Sequence, residues 1–144
     1  MSKLIINDAF FRLEDQNRLL IQEILASQSY KNYLLTRNEM NTSPEVAKLK
    51  KAFQADKDRF EQIASYGEYA PDYHQQQRKV RLSKRTLDLN EKVAAFRLAE
   101  TDLQQLLDEV GQRIAQTISS EIKVDAGNPF FETGNHSCKG NCHG

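Results

Sequence analysis

Tryptophan is missing altogether, and cysteine, proline and glycine are scarce: two, three and six residues in a chain of 144. Without tryptophan, the core must be small or shared with a partner. With so little proline and glycine the chain is poorly supplied with turns, which excludes a fold built from many short strands. No apolar stretch approaches the roughly 18 residues of a membrane span. The N-terminal run Leu4-Ile5-Ile6 is too short for a secretory signal. Net charge is absent too: 20 basic residues balance 20 acidic ones. Overall charge therefore selects no partner class, and only local clustering can. We expect a cytoplasmic protein, in which two cysteines four apart are ligands or redox thiols rather than a structural disulfide.

What is present is helical periodicity. Asn7 can cap a first helix, predicted over 8–27, on which Phe10, Leu13, Leu20, Ile21 and Ile24 share a face. A second helix is predicted over 29–40. Ser43 can cap a third, with Pro44 at its first position, where the missing N–H has no partner in any case. Val46, Leu49, Phe53, Phe60 and Ile63 mark its buried stripe as far as Gly67. The segment Tyr66-Gly67-Glu68-Tyr69-Ala70-Pro71-Asp72-Tyr73 reads as the one real loop, pinned by its three tyrosines. A fourth helix is predicted over 71–87. A fifth starts at Asn90 and runs to about Ile122, with Phe96, Ala99, Leu103, Leu107, Val110, Ile114, Ile118 and Ile122 at alternating gaps of three and four. That spacing is the seam of a coiled-coil-like pairing. A helix of this length should project and pack against its hairpin partner or another subunit. The fold class is all-α: about five helices in an antiparallel bundle or hairpin, with one long C-terminal helix. The expected division is a helical domain over 1–125 and a flexible Gly/Cys/His tail over 126–144.

Both cysteines and two of the three histidines lie in that tail. His136, Cys138, Cys142 and His143 offer soft or borderline donors, and Gly140 lets the backbone curl so that two thiolates can reach one zinc or one iron cluster. Adjacent Cys142 and His143 rarely bind one ion without strain, so one chain reads as half a site. The alternative is a loose polar tail with ordinary thiols. Phe130-Phe131 either folds back on the helix end or serves as a docking peptide. Arg78, Arg81 and Arg85 share a face of the fourth helix and could meet RNA phosphates or an acidic partner. A merely solvated face is the competing reading. His74 reads as a surface histidine. No carboxylate pair, phosphate-binding loop or nucleophile elbow is present, so no enzyme is expected. A thiol oxidoreductase ranks last, because the cysteines lack the folded, electropositive setting that lowers a thiol's pKa.

The segments Tyr66–Tyr73, Leu87-Asp88-Leu89-Asn90-Glu91-Lys92-Val93-Ala94-Ala95-Phe96-Arg97, Leu106-Leu107-Asp108-Glu109-Val110 and Gly127-Asn128-Pro129-Phe130-Phe131 together resemble the YlbF/YmcA family of competence regulators, closest to its YlbF (RicF) branch. The resemblance covers most of the chain and is weakest in the first helix. It implies an all-helical regulatory adaptor without catalysis of its own, working as a homo- or hetero-oligomer with YmcA-like (RicA) and YaaT-like (RicT) partners. It further implies action with ribonuclease Y in messenger RNA processing, and control of competence, sporulation and biofilm formation. A four-iron four-sulfur cluster shared between subunits would take ligands from the cysteine tail, with zinc the weaker alternative. Here only Cys138 and Cys142 can inherit that role, fewer cysteines than the branch pattern carries. Partners could supply further ligands, His136 or His143 could substitute, or this lineage keeps only the scaffold. Two other readings stand beside it: a plain helical interaction module with an inert tail, and a direct RNA binder acting through the basic fourth helix.

Overall fold

The computed structural model describes residues 7–125 and Gly127, and over them the chain is all-α, without a strand. Five helices follow in order: α1 (Asp8–Ala26), α2 (Gln28–Thr42), α3 (Pro44–Ala64), α4 (Tyr73–Asp88) and α5 (Glu91–Ile118). The chain divides into two compact units, one ending at Glu100 and the other beginning at Thr101, so the division falls within α5.

The starts of the helices follow from single polar side chains. Asn7 Oδ1 accepts from the Phe10 N–H at 3.1 Å and caps α1. Ser27 serves two helices: its N–H donates to the Ile24 carbonyl at 3.2 Å, and its Oγ accepts from the Tyr30 N–H at 3.2 Å. One extended residue therefore ends α1 and caps α2. Ser43 repeats the device. Its Oγ accepts from the Val46 N–H at 3.5 Å, and Pro44 opens α3. An N-cap satisfies donors that the first helical turn would otherwise leave without partners.

The α3–α4 connection departs from expectation at its far end. Gly67, at φ 83°, turns the chain away from α3. Asp72, at φ 67°, lies in the left-handed region that a short polar side chain tolerates best after glycine. That residue breaks the helical phase, so α4 starts at Tyr73 and Pro71 stays outside it. Nor do three tyrosines pin the loop. Tyr73 stacks on Phe60 at 5.2 Å, whereas Tyr66 and Tyr69 project from the surface.

Helices α3 and α4 form the most closely packed pair in the first unit. Their cross-links run antiparallel. Tyr73 meets Phe60, the buried Gln76 Nε2 donates to the Asp56 carbonyl at 3.0 Å, and Leu87 packs with Val46. The expected hairpin of α5 with its neighbour is thus not the dominant one. The first turn of α5 instead closes the end of the α3–α4 pair. Val93 joins the fully buried Val46 and Leu87 in a core to which Met40, Leu49 and Phe53 also pack. Phe96 stacks on Tyr33 of α2 at 5.6 Å. Asp88 receives Lys84 at 2.6 Å and Arg97 at 2.9 Å, tying the end of α4 to α5.

With 28 residues α5 is the longest helix, about 42 Å at 1.5 Å per residue. It stops at Ile118, short of the predicted Ile122. Ser119 Oγ accepts from the Glu121 N–H at 3.2 Å, a local bond that competes with helical propagation. The chain then turns back along α5. Val124 lies over Gly111, and the Gly127 N–H donates to Asp108 Oδ1 at 3.1 Å.

Candidate protein-interaction surfaces

Many large apolar side chains are exposed among the described residues. Helix α1 contains no buried residue. Phe11, Leu13, Ile21 and Leu25 are exposed, Leu13 by 68%, while Phe10, Leu20 and Ile24 are half-buried. At about 100° per residue these seven positions cover roughly half the helix circumference. Leu34 and Leu35 of α2 are exposed as well. A contiguous apolar face of this kind marks a place where another surface belongs.

The predicted seam of α5 divides in two. In the first unit Ala99 is buried and Phe96 half-buried. In the second unit Leu103 and Val110 are half-buried, but Leu107, Ile114 and Ile118 face outward, Ile114 by 52% and Ile118 by 74%. Leu107, Ile114 and Ile118 fall at steps of seven and four, so they share one line along the helix. Exposed Ile122 and Val124 lie close behind in the chain. The periodicity recognised in the sequence is real, yet its C-terminal half is left without a covering surface in this unit.

Helix α4 concentrates positive charge in a chain whose charges balance overall. Over Tyr73–Asp88 five cations stand against one carboxylate, a net +4. Arg78, Arg81 and Arg85 are all exposed, and none makes an ion pair among the described residues. All three therefore stand on one helix with their side chains open to solvent. His74 is exposed on the same helix, edge-on to the Tyr73 ring at 5.4 Å, as a surface histidine would be.

The second unit holds a feature that sequence reasoning missed. Asp108 is buried, with 7% of its surface exposed. It accepts from Gln104 Nε2 at 2.8 Å and from the Gly127 N–H at 3.1 Å. A Cβ added at Gly127 would fall 2.5 Å from Gln104 Cδ, so only glycine fits there without displacing that side chain. In the sequence this glycine stands out as part of the Gly127-Asn128-Pro129-Phe130-Phe131 segment. It acts as the point where the returning chain is clamped to α5, ahead of the donor-bearing residues.

Those donors, His136, Cys138, Cys142 and His143, lie outside the described residues, as do Phe130 and Phe131. Among the described residues no three His, Cys, Asp or Glu side chains converge as a metal site would need. Among the described residues no helix is long and apolar enough to cross a membrane.

Comparison with known proteins agrees with this architecture. Residues 13–119 match the family model described as control of competence regulator ComK, YlbF/YmcA. The regulatory protein YlbF of Bacillus subtilis (strain 168) is 39% identical over 131 residues, covering 91% of this chain and 87% of the relative. A chain in the crystal structure of Bacillus subtilis RicA in complex with RicF superposes with a TM-score of 0.70 at 36% identity, over 78% of this chain and 98% of that one.

Proposed function

Because this chain belongs to the YlbF/YmcA family of competence regulators, we propose that it is a non-enzymatic adaptor that works by assembling with YmcA-like and YaaT-like partners. The observation that carries this reading is the apolar surface left open on α1 and on the C-terminal half of α5. Exposing it to water costs roughly 25 cal/mol per Å² of apolar area, a cost that assembly removes. The similar chain found within a complex of RicA with RicF supports partners of the same type. The adaptor acts on messenger RNA processing with ribonuclease Y, and through it on competence, sporulation and biofilm formation.

The donor chemistry of the tail fits a shared four-iron four-sulfur cluster in part. Such a cluster takes four ligands, and Cys138 and Cys142 are the only thiols in the chain. One chain can thus supply half a thiolate set, with His136 or His143 as further donors, and a partner must complete it. When bound, the cluster would supply redox and iron sensitivity. The role of this chain is to hold two thiolates on a segment whose start is clamped by Asp108. Two thiolates alone bind poorly, so occupancy becomes conditional on assembly.

The test is anaerobic co-purification with a YmcA-like and a YaaT-like partner, followed by iron and sulfide analysis. We expect Ile114→Asp combined with Ile118→Asp to abolish co-purification while leaving the isolated chain folded. We expect Cys138→Ser with Cys142→Ser to lose iron but keep the partners. Full assembly by the isoleucine double variant would refute the adaptor surface. Unchanged iron in the cysteine double variant would leave a plain interaction module with an inert tail.

A further inference from the structure

We propose that a groove beside α3 and α4 docks a short acidic segment of a partner protein that carries an apolar side chain. The groove has a volume of about 430 Å³ and is lined by Phe53 from α3 and by Val80, Arg81, Lys84, Arg85, Asp88 and Leu89 from α4 and the residue after it. The groove shares no lining residue with the apolar faces of α1 and α5, and the inference stands independently of the adaptor reading.

The chemistry of the lining specifies the occupant. Phe53, Val80 and Leu89 form an apolar wall, and Leu89 is exposed. The rim is cationic. Both oxygens of Asp88 are engaged by Lys84 Nζ, at 2.6 and 2.7 Å, and Arg97 reaches the same carboxylate at 2.9 Å. The one acidic group of the lining is therefore already neutralised. Arg81 and Arg85, one turn apart, have no counter-ion among the described residues. An occupant that complements this lining brings carboxylates for the two guanidinium groups and an apolar side chain for the wall. Guanidinium groups favour carboxylates because they can be met by two parallel hydrogen bonds.

A protein segment fits better than RNA. Phe53 is the one aromatic ring in the lining, and Lys84 Nζ stands 5.9 Å from its centroid in a cation–π arrangement, so the ring is not free as a stacking platform. The volume suits one or two side chains, and recognition of acidic motifs by clustered arginines is a recurrent mode of peptide binding.

The experiment uses the full chain and three fluorescein-labelled hexapeptides, EDFLED, EDGSED and KKFLKK, read by fluorescence anisotropy. Saturable binding of EDFLED is expected, at least about tenfold tighter than the other two. The Arg81→Glu, Arg85→Glu variant should weaken EDFLED about tenfold and bind KKFLKK in its place. Phe53 also packs against the core, so the apolar wall is tested at exposed Leu89: Leu89→Ser should weaken EDFLED without moving the thermal midpoint. The proposal is overturned if EDFLED does not bind, if EDGSED binds equally well, or if the arginine variant binds EDFLED unchanged. It is also overturned if oligouridylate binds at Arg81 and Arg85 more tightly than EDFLED, which would assign the groove to RNA. Self-association that depends on these residues would assign it to a second copy and overturn the proposal as well.

Discussion

Asp108 and Gly127 show how two residues nineteen positions apart can decide where a terminal segment begins. Asp108 is buried, accepts two hydrogen bonds from the described residues, and holds the returning backbone over Gln104. Asp108→Ala removes the acceptor of two part-buried hydrogen bonds, at a cost of about 0.5–1.5 kcal/mol for each bond lost. Gly127→Ala acts at the same point by another route. Its Cβ must push Gln104 aside, breaking the 2.8 Å bond from Gln104 to Asp108. Both variants should speed tryptic cleavage after Lys123, monitored by mass spectrometry, and unchanged cleavage in both would mean that the clamp does not restrain the segment. Nothing in the sequence pairs these two residues. An aspartate in the polar run of a helix and a glycine after it look like a solvated face and a helix stop. Their connection exists only because the chain reverses after Ile118.

At the level of helices, most starts were legible because each is set within three or four residues. Asn7, Ser43-Pro44 and Asn90 cap or precede the helices they were expected to. Ends were less legible. Ser119 halts α5 early through its own side chain, and Asp72 delays α4 by adopting a left-handed backbone. Such residues hold two local options of similar energy, and packing selects one. The Gly67 turn gives a test at this scale. Nothing lies within 4 Å of a Cβ built there, so Gly67→Ala carries only the conformational penalty of φ 83°. We expect a loss of about 1 kcal/mol, read as a lower thermal midpoint by circular dichroism. An unchanged midpoint would show that the turn relaxes without cost.

For the molecule as a whole, the balance between buried and exposed apolar surface is the property with functional consequence. The α3–α4 pair, closed by the first turn of α5, holds the compact core, whereas α1 buries no residue. A helix of 19 residues with so little packing is marginal by itself, since helical stability in proteins comes mostly from a buried face. In the isolated chain, hydrogen exchange should therefore be fastest in α1 and slowest in α3 and α4. On assembly with a YmcA-like partner, protection should rise in α1 and in the C-terminal half of α5. Protection of α1 equal to that of α3 in the isolated chain would contradict this ordering.

Local order in the chain was decided by nearest-neighbour chemistry. Apolar spacing set the helical class, serine and asparagine set the caps, and scarce glycine and proline left few places to turn. These are interactions among residues a few positions apart, and the order of residues specifies them directly. Which apolar stripe would find a mate was decided by packing instead. The regular series from Phe96 to Ile122 looks uniform in sequence, yet its first part is covered and Leu107, Ile114 and Ile118 are not. Burial depends on what arrives from distant parts of the chain or from another molecule. A periodic pattern records only that a face is sticky, and the three-dimensional arrangement determines whether it is already satisfied.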